Sequence, residues 1–359
     1  MRKKVKTTIV SLTLALAVLT VGCGNSNTSG GSAKGDSKSK YGTLNVAYFP
    51  TSFKSSLSTV ANVKGFFKEE GVDVNLVNLQ NSSDTIVALE EEKIDVNPAG
   101  ITNVLQAIED GEPIKIIGGS AQAGGLIVTL PKNADKFKKL ENWKGTTWAT
   151  GRTMTGDFVV RHYLKEIGID SNKDLESLDL GDDLSIIQAV AKGEAEVGYI
   201  TANDTRTAID YGLELIINVD DLEHAYPCCR ISTTENAIKN KRDALVAYMR
   251  AVIRAYDFIL SNREETIEIF KDLTHQDDAY VIEVMYGDFA SAYVPDPAKA
   301  KVLNYGQYLK EATAIDSTDK IEGSIDTTIY KEALDQILER YPDNNNYKDL
   351  LEAYNEFDQ

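Results

Sequence analysis

The sequence predicts an α/β protein of two lobes, and three observations carry that prediction. Strand-like runs alternate with helical runs of about a dozen residues, the pattern of a parallel sheet covered by helices on both faces. The alternation runs from Leu44 to Gly118 and begins again after Gln122 to Gly125. The halves also share a local pattern. Ala88 to Val96 reads Ala-Leu-Glu-Glu-Glu-Lys-Ile-Asp-Val, and Ala189 to Val197 reads Ala-Val-Ala-Lys-Gly-Glu-Ala-Glu-Val. Two copies of one plan imply a duplicated architecture.

In the first half, Leu44 to Tyr48 is a strand, left through the loop Phe49 to Phe53, and a helix from Ser56 to Glu70 is closed by Gly71. Val72 to Leu76 is the second strand. Ser82 or Ser83 then caps a helix reaching Glu92, because a short hydroxyl side chain satisfies the first free N–H groups. Ile94 to Val96 is a third strand, Ala99 to Asn103 starts a helix ending at Asp110, and Pro113 to Gly118 is a fourth strand. In the second half, strands are expected at Leu126 to Leu130, Thr146 to Ala149, Leu175 to Leu180, Glu196 to Ile200 and Leu213 to Val219. Helices separate them, at Asp157 to Ile167, Ser185 to Lys192 and from Thr201 onward. From Ala237 the chain reads as mostly helical.

Ligands of open α/β sheets sit beyond the carboxyl ends of the strands. Two such sheets facing one cleft would gather Tyr48, Phe53, Ser82, Gly100, Asn103, Arg152, Thr153, Thr155, Tyr199 and Asn203. The stretch from Trp143 to Leu164 is the best developed of these loops. A polar loop with Gly151 and Gly156 leads from a strand into a helix whose free N–H groups favour an acceptor or anion. Arg152 adds a donor fork suited to an anionic oxygen, and Thr153 and Thr155 add hydroxyls. Arg161, on the helix body, is expected to matter little to ligand binding. Asp204 reads as a helix cap rather than a ligand contact.

The N-terminus carries a secretory pattern. Arg2, Lys3, Lys4 and Lys6 precede an apolar run from Thr7 to Val21, too short for a comfortable membrane span. It ends in Leu19-Thr-Val-Gly-Cys23, which resembles the lipobox of bacterial lipoproteins and implies lipidation at Cys23. Residues 1–22 are then a leader and residues 23–42, rich in Gly, Ser, Asn and Lys, a flexible tether. The chain has 38 Lys and Arg against 55 Asp and Glu, a net charge of −17. Loss of the leader removes four basic and no acidic side chains and deepens it to −21. An acidic body without basic tracts excludes a nucleic-acid partner and leaves membrane attachment to the lipid.

Cys228 and Cys229 are adjacent, and two readings stand side by side: a vicinal disulfide, or two buried free thiols acting as small hydrophobes. The three histidines, His162, His224 and His275, have no ligand spacing with them, so neither a metal nor a cofactor is expected. No nucleophile elbow, phosphate loop or zinc-protease motif is present, so no catalytic residues are expected.

The order of segments resembles the NitT/TauT substrate-binding proteins of ABC importers, whose fold is shared with sulfonate, taurine, nitrate and thiamine-pyrimidine binders. The resemblance lies in Leu44-Asn-Val-Ala-Tyr48, Gly65-Phe-Phe-Lys68, Glu70-Gly-Val-Asp-Val74 and Asp95-Val-Asn-Pro-Ala-Gly100. It continues in Gly111-Glu-Pro-Ile-Lys-Ile-Ile117, Leu140-Glu-Asn-Trp-Lys-Gly145 and Gly193-Glu-Ala-Glu-Val197. It implies a type II periplasmic-binding-protein fold with two lobes, a central cleft and two crossover segments. Lobe 1 would comprise residues 43–122 plus 228–359, and lobe 2 residues 126–220. It further implies an extracytoplasmic, lipid-anchored monomer that captures a small polar or anionic solute and serves an ABC permease. Thiamine-pyrimidine binders carry Trp-x-Pro-Asn after the first strand, where this chain has Tyr48-Phe-Pro-Thr51. That departure favours sulfonate, taurine or nitrate. The alternatives are a pyrimidine-like heterocycle binder, a ligand-sensing lipoprotein and a pyrimidine synthase.

Overall fold

The computed structural model describes residues 39–49, 52–79 and 82–359. The leader, Cys23 and the tether up to residue 38 lie outside them. The last four residues read as tether, 39–42, are built onto the body. Ser39 Oγ donates to Gly71 O at 2.6 Å and Tyr41 N to Gly71 O at 2.9 Å. Among the described residues no helix is long and apolar enough to cross a membrane.

The first part runs β1 (Thr43–Tyr48), α1 (Ser56–Val63), α2 (Phe66–Glu69), β2 (Asp73–Asn78), α3 (Ser82–Glu90), β3 (Asn97–Gly100), α4 (Ile101–Asp110) and β4 (Ile114–Ala121). The second runs β5 (Gly125–Thr129), α5 (Ala134–Phe137), β6 (Thr147–Thr150), α6 (Thr155–Glu166), β7 (Glu176–Asp179), α7 (Asp183–Lys192), β8 (Val197–Thr201), α8 (Thr205–Asp210) and β9 (Glu214–Asn218). After β10 (Cys229–Thr234) the chain is helical: α9 (Glu235–Ser261), α10 (Arg263–Thr274), α11 (Asp278–Tyr286), α12 (Lys299–Glu311), α13 (Thr328–Arg340) and α14 (Asn345–Phe357).

The architecture is α/β, but the sheets are mixed rather than parallel. β1 and β2 pair in parallel, and β10 lies antiparallel between β3 and β4. The five-stranded sheet has the order β7-β6-β8-β5-β9, with β5 antiparallel to both β8 and β9. The strand that enters each sheet from the other half runs against its neighbours, and alternation of strands and helices carries no information about it. β10 escaped the sequence reading because Cys-Arg-Ile-Ser-Thr-Thr reads as a polar segment, although every residue in it is buried. Several of its polar groups are matched internally: Thr233 Oγ1 donates to Asp95 O at 2.6 Å, and Thr234 caps α9. The third strand also shifts, from the expected Ile94–Val96 to Asn97–Gly100. Ile94 and Val96 are buried, but they form the approach to the ladder, with Asp95 N and Val96 N both donating to Asn45 O.

The buried face of α9 forms the centre of one core, against Leu44, Val46, Phe67 and Ile329. A second core is built round Trp143 and Trp148, packed edge to face at 5.7 Å, together with Phe158 and Tyr305.

A candidate ligand cleft at the vicinal thiols

Cys229 is the point where the first sheet opens. Its register partners are Gly100 at the end of β3 and Ala121 at the end of β4. The turn Phe53–Ser55 that leaves β1 packs beside them, and Ser120 Oγ donates to Lys54 O at 2.5 Å. From the other sheet come Gly125 at the start of β5, Tyr199 on β8, and the N-terminus of α6. Thr155 Oγ1 donates to Cys228 O at 3.2 Å, joining α6 to the thiol pair.

Close approach here depends on missing side chains. A Cβ on Gly125 would meet the Tyr199 hydroxyl at 2.5 Å and the Tyr226 hydroxyl at 2.6 Å, and one on Gly156 would meet the Tyr199 ring and hydroxyl. Both tyrosines are buried, which pushes their phenols well above the usual range.

Lys54 is the charge at the centre. Burial alone would lower its ammonium, but Cys229, Cys228 and Asp183 outweigh burial and hold it above its usual value. Among the described residues its Nζ has neither a hydrogen bond nor a carboxylate within salt-bridge reach. Asp183 approaches from the start of α7. Burial raises its carboxyl to about 7, against the opposing hydrogen bonds from Thr201, while Asp204 raises it further. Its Oδ1 is buried without a partner among the described residues. Cys228, half-buried, is lowered to about 7 by the hydrogen bond from Cys229, which outweighs burial with help from Lys54 and Arg230. Cys229 is raised. The two cysteines are free thiols, with sulfurs 3.4 Å apart.

Of the residues read from the sequence, the structure brings Gly100, Thr155 and Tyr199 to this place. Tyr48, half-buried, ends β1. Phe53 is in the core, stacked on Phe270 at 5.1 Å. Asn103 lines a shallow groove of about 250 Å³ between α3 and α4. Arg152 and Thr153 are exposed, and Arg152 is ion-paired with Asp179 at 3.3 Å on β7, an edge strand. Ser82 opens α3, and its side chain lies outside the described residues. Asn203 meets the helical C-terminal part, its carbonyl accepting from Tyr280 OH at 3.2 Å. Arg206 extends that contact with ion pairs to Asp277 at 3.2 Å and Glu283 at 3.8 Å. Lys54 and Asp183 were missed. The available cue was a lysine in the loop directly after the first strand, and a second acid beside the Asp182 cap.

A hollow of about 400 Å³ lies elsewhere, between α6 and α12. There His162 stacks on Tyr308 at 3.9 Å and bonds Glu311 at 2.9 Å, so its chief polar groups are already matched. Among the described residues no group of acidic, histidine or cysteine side chains is arranged to hold a metal.

Comparison with known proteins places this geometry in a family. The NMT1/THI5-like profile matches residues 53–266, more than half of the chain. The chain belongs to the NMT1/THI5-like family. It is 22% identical over 273 residues to the Bacillus subtilis protein named "Putative binding protein YtlA", covering 73% of this chain and 79% of that one. It is 25% identical over 279 residues to 4-amino-5-hydroxymethyl-2-methylpyrimidine phosphate synthase of Candida albicans, covering 70% and 78%. Among solved structures it is similar to the periplasmic nitrate-binding protein NrtA of Synechocystis PCC 6803. That match has a TM-score of 0.68 at 15% identity and covers 84% of this chain and 90% of the other. The fold of this NMT1/THI5-like chain is therefore that of the periplasmic binding proteins.

Proposed function

We propose that the protein is the extracytoplasmic substrate-binding component of an ABC importer and captures a small anionic solute in the cleft at Lys54. In this reading residues 43–122 plus 228–359 form one lobe and residues 126–220 the other, with Gln122 to Gly125 and Asn218 to Pro227 as crossovers. Cys23 carries the lipid, the tether holds a monomer to the membrane, and a permease receives the solute. The protein binds and releases the solute without chemistry.

The observation that carries the reading is the Lys54 ammonium. It lies where the two sheets meet and has no partner among the described residues, so an anion arriving there would gain a charge-assisted bond without breaking one. Sulfonate, taurine and nitrate fit that description. The protein is strongly acidic, so long-range attraction works against an anion and local donors must supply the affinity.

The test is calorimetric titration against a sulfonate, taurine, nitrate, a carboxylate and a neutral pyrimidine. Losing one partner of a desolvated charge pair costs about 2–5 kcal/mol, so Lys54→Gln should weaken anion binding about thirtyfold or more. Arg152→Ala, whose guanidinium is occupied by Asp179, should change it little. The pyrimidine synthase relative supports the rival reading. Tight binding of the neutral pyrimidine, indifferent to Lys54→Gln, would replace the anion with a heterocycle.

A further inference from the structure

We propose that Cys228 and Cys229 form an exchange-active dithiol, a modification site that takes a small-molecule disulfide as its electrophile and closes into a vicinal disulfide. Neighbouring residues in a regular strand point to opposite faces. Here Cys228 precedes β10, and the ladder with β4 slips between Cys229 and Arg230. The result is two sulfurs 3.4 Å apart, within reach of one another's S–H. Cys228 is half-buried, and a Cβ on Gly100, the register partner of Cys229, would meet nothing within 4 Å. Open space therefore adjoins the pair.

Two cations favour the thiolate. Lys54 stands on the adjoining turn, and Arg230 is buried beside the pair, its Nη1 donating to Cys229 O at 2.8 Å. A thiolate near cations is the nucleophile in exchange, and its partner at hydrogen-bond distance is placed to resolve the product.

The steps balance without another oxidant. The Cys228 thiolate attacks one sulfur of the disulfide, forming a mixed disulfide and expelling one small thiolate. Cys229 then loses its proton to solvent and attacks the Cys228 sulfur, expelling the second small thiolate. Two protein thiols are oxidised and one small disulfide is reduced to two thiols. Ring closure also removes the thiolate that faces Lys54, leaving the ammonium free of a competing negative charge.

The experiment uses the full chain, reduced and desalted, with bis(2-hydroxyethyl) disulfide at neutral pH, followed by acid quench and tryptic digestion without reduction. The peptide Thr207–Arg230 contains both cysteines and excludes Cys23. The expected product is this peptide lighter by two hydrogens, with no adduct. Cys229→Ser should stop at a stable hydroxyethyl adduct on Cys228, and Cys228→Ser should lose the fast reaction. Lowering a thiol by about two units raises the thiolate fraction about fiftyfold and reduces its nucleophilicity about tenfold. The folded protein should then react about fivefold faster than the same peptide segment in urea. A persistent mixed disulfide on the unaltered protein would overturn the proposal, as would a folded rate no higher than the urea rate. A pulse of iodoacetamide on the unaltered protein covers the case of a misfolded variant: Cys228 should be alkylated first, and preference for Cys229 counts against the assignment.

Discussion

Arg161 sits on the helix that the sequence marks as the best anion site, yet its role is structural. Its guanidinium is 8% exposed, bonds Asp157 at 2.6 Å and Ser171 at 3.2 Å, and lies over Trp148 at 5.0 Å. Asp157 is fully buried, and burial raises its carboxyl despite Arg161 and the Thr150 hydroxyl. A pair so desolvated gives little net stability, but losing one partner strands the other, at a cost of about 3–5 kcal/mol. Arg161→Ala should therefore lower the urea midpoint strongly, an effect on stability separate from the small effect on ligand binding expected of it. Arg152→Ala, at an exposed pair worth about 0–1 kcal/mol, should leave that midpoint nearly unchanged. A second residue-scale effect comes from Asp296, buried beside Asp358 near the C-terminus. Each accepts a backbone N–H, at 2.8 and 2.7 Å, and their outer oxygens have no partner among the described residues. Burial, with the Asp358 charge, raises Asp296 to about 8. The folded state thus holds a proton that the unfolded chain releases near pH 4, so stability falls as pH rises between those values. One such proton contributes at most about 1.4 kcal/mol per pH unit. Asp296→Asn should lessen the decline in urea midpoint across this range, leaving the same-sign contributions of Asp183 and Asp157, which burial also raises.

Elements are tied together by Glu70, at the end of α2. Its carboxylate, 2% exposed, is bonded by Arg250 and Arg254 of α9 and by Arg340 of α13, at 2.7 to 2.9 Å. Burial opposes the charge, but the arginines outweigh it, Arg340 most, and hold the carboxyl below its usual value. Its contribution is therefore present above the unfolded pKa and lost as pH falls through the folded one. Glu70→Gln should remove the arginines' partner and lower the melting temperature at neutral pH, with the difference from the unaltered protein shrinking in acid. None of this was legible in the sequence, where Glu69-Glu70-Gly71 reads only as a charged helix end. What was legible came from local pattern. α4, α6, α7 and the start of α9 fall within two residues of their expected places because amphipathic spacing and caps are written in consecutive residues. β10 was not, because a strand buried on both sides has no alternation to read. Lys54 and Asp183 were not, because the chain brings them together across 129 residues and only the folded sheets reveal that the Lys54 ammonium and Asp183 Oδ1 lack partners among the described residues.

At the scale of the whole molecule, helices of the second sheet meet the C-terminal helices at polar contacts besides the thiol region: α6 on α12 through His162 and Glu311 at 2.9 Å, and α8 on α11 and its cap through Arg206. Its guanidinium reaches Asp277 and Glu283 and lies 5.5 Å from the centre of the Tyr280 ring, while Tyr280 OH reaches across to Asn203 O. The neighbouring crossover, where Ala202 N donates to Gly124 O at 2.9 Å, has backbone that can bend. Gly124 has φ of +85° and Ala123 of +57°, and a Cβ on Gly124 would strike Ser291. In the proposed two-lobe reading, this crossover would be the hinge and the Arg206 contact a latch on a cleft that closes as one lobe rotates. Arg206 and Asp277 are each more than a third exposed, so the pair is screened and contributes only about 0–1 kcal/mol. That is enough to bias an equilibrium between open and closed forms without locking it. Arg206→Glu places a third acid against Asp277 and Glu283 and should shift the unliganded protein toward the open form. Small-angle scattering should then give a larger radius of gyration for Arg206→Glu than for the unaltered protein, and addition of a binding anion should compact both. Equal radii for the two unliganded proteins, with binding intact, would mean that Arg206 does not act as the latch.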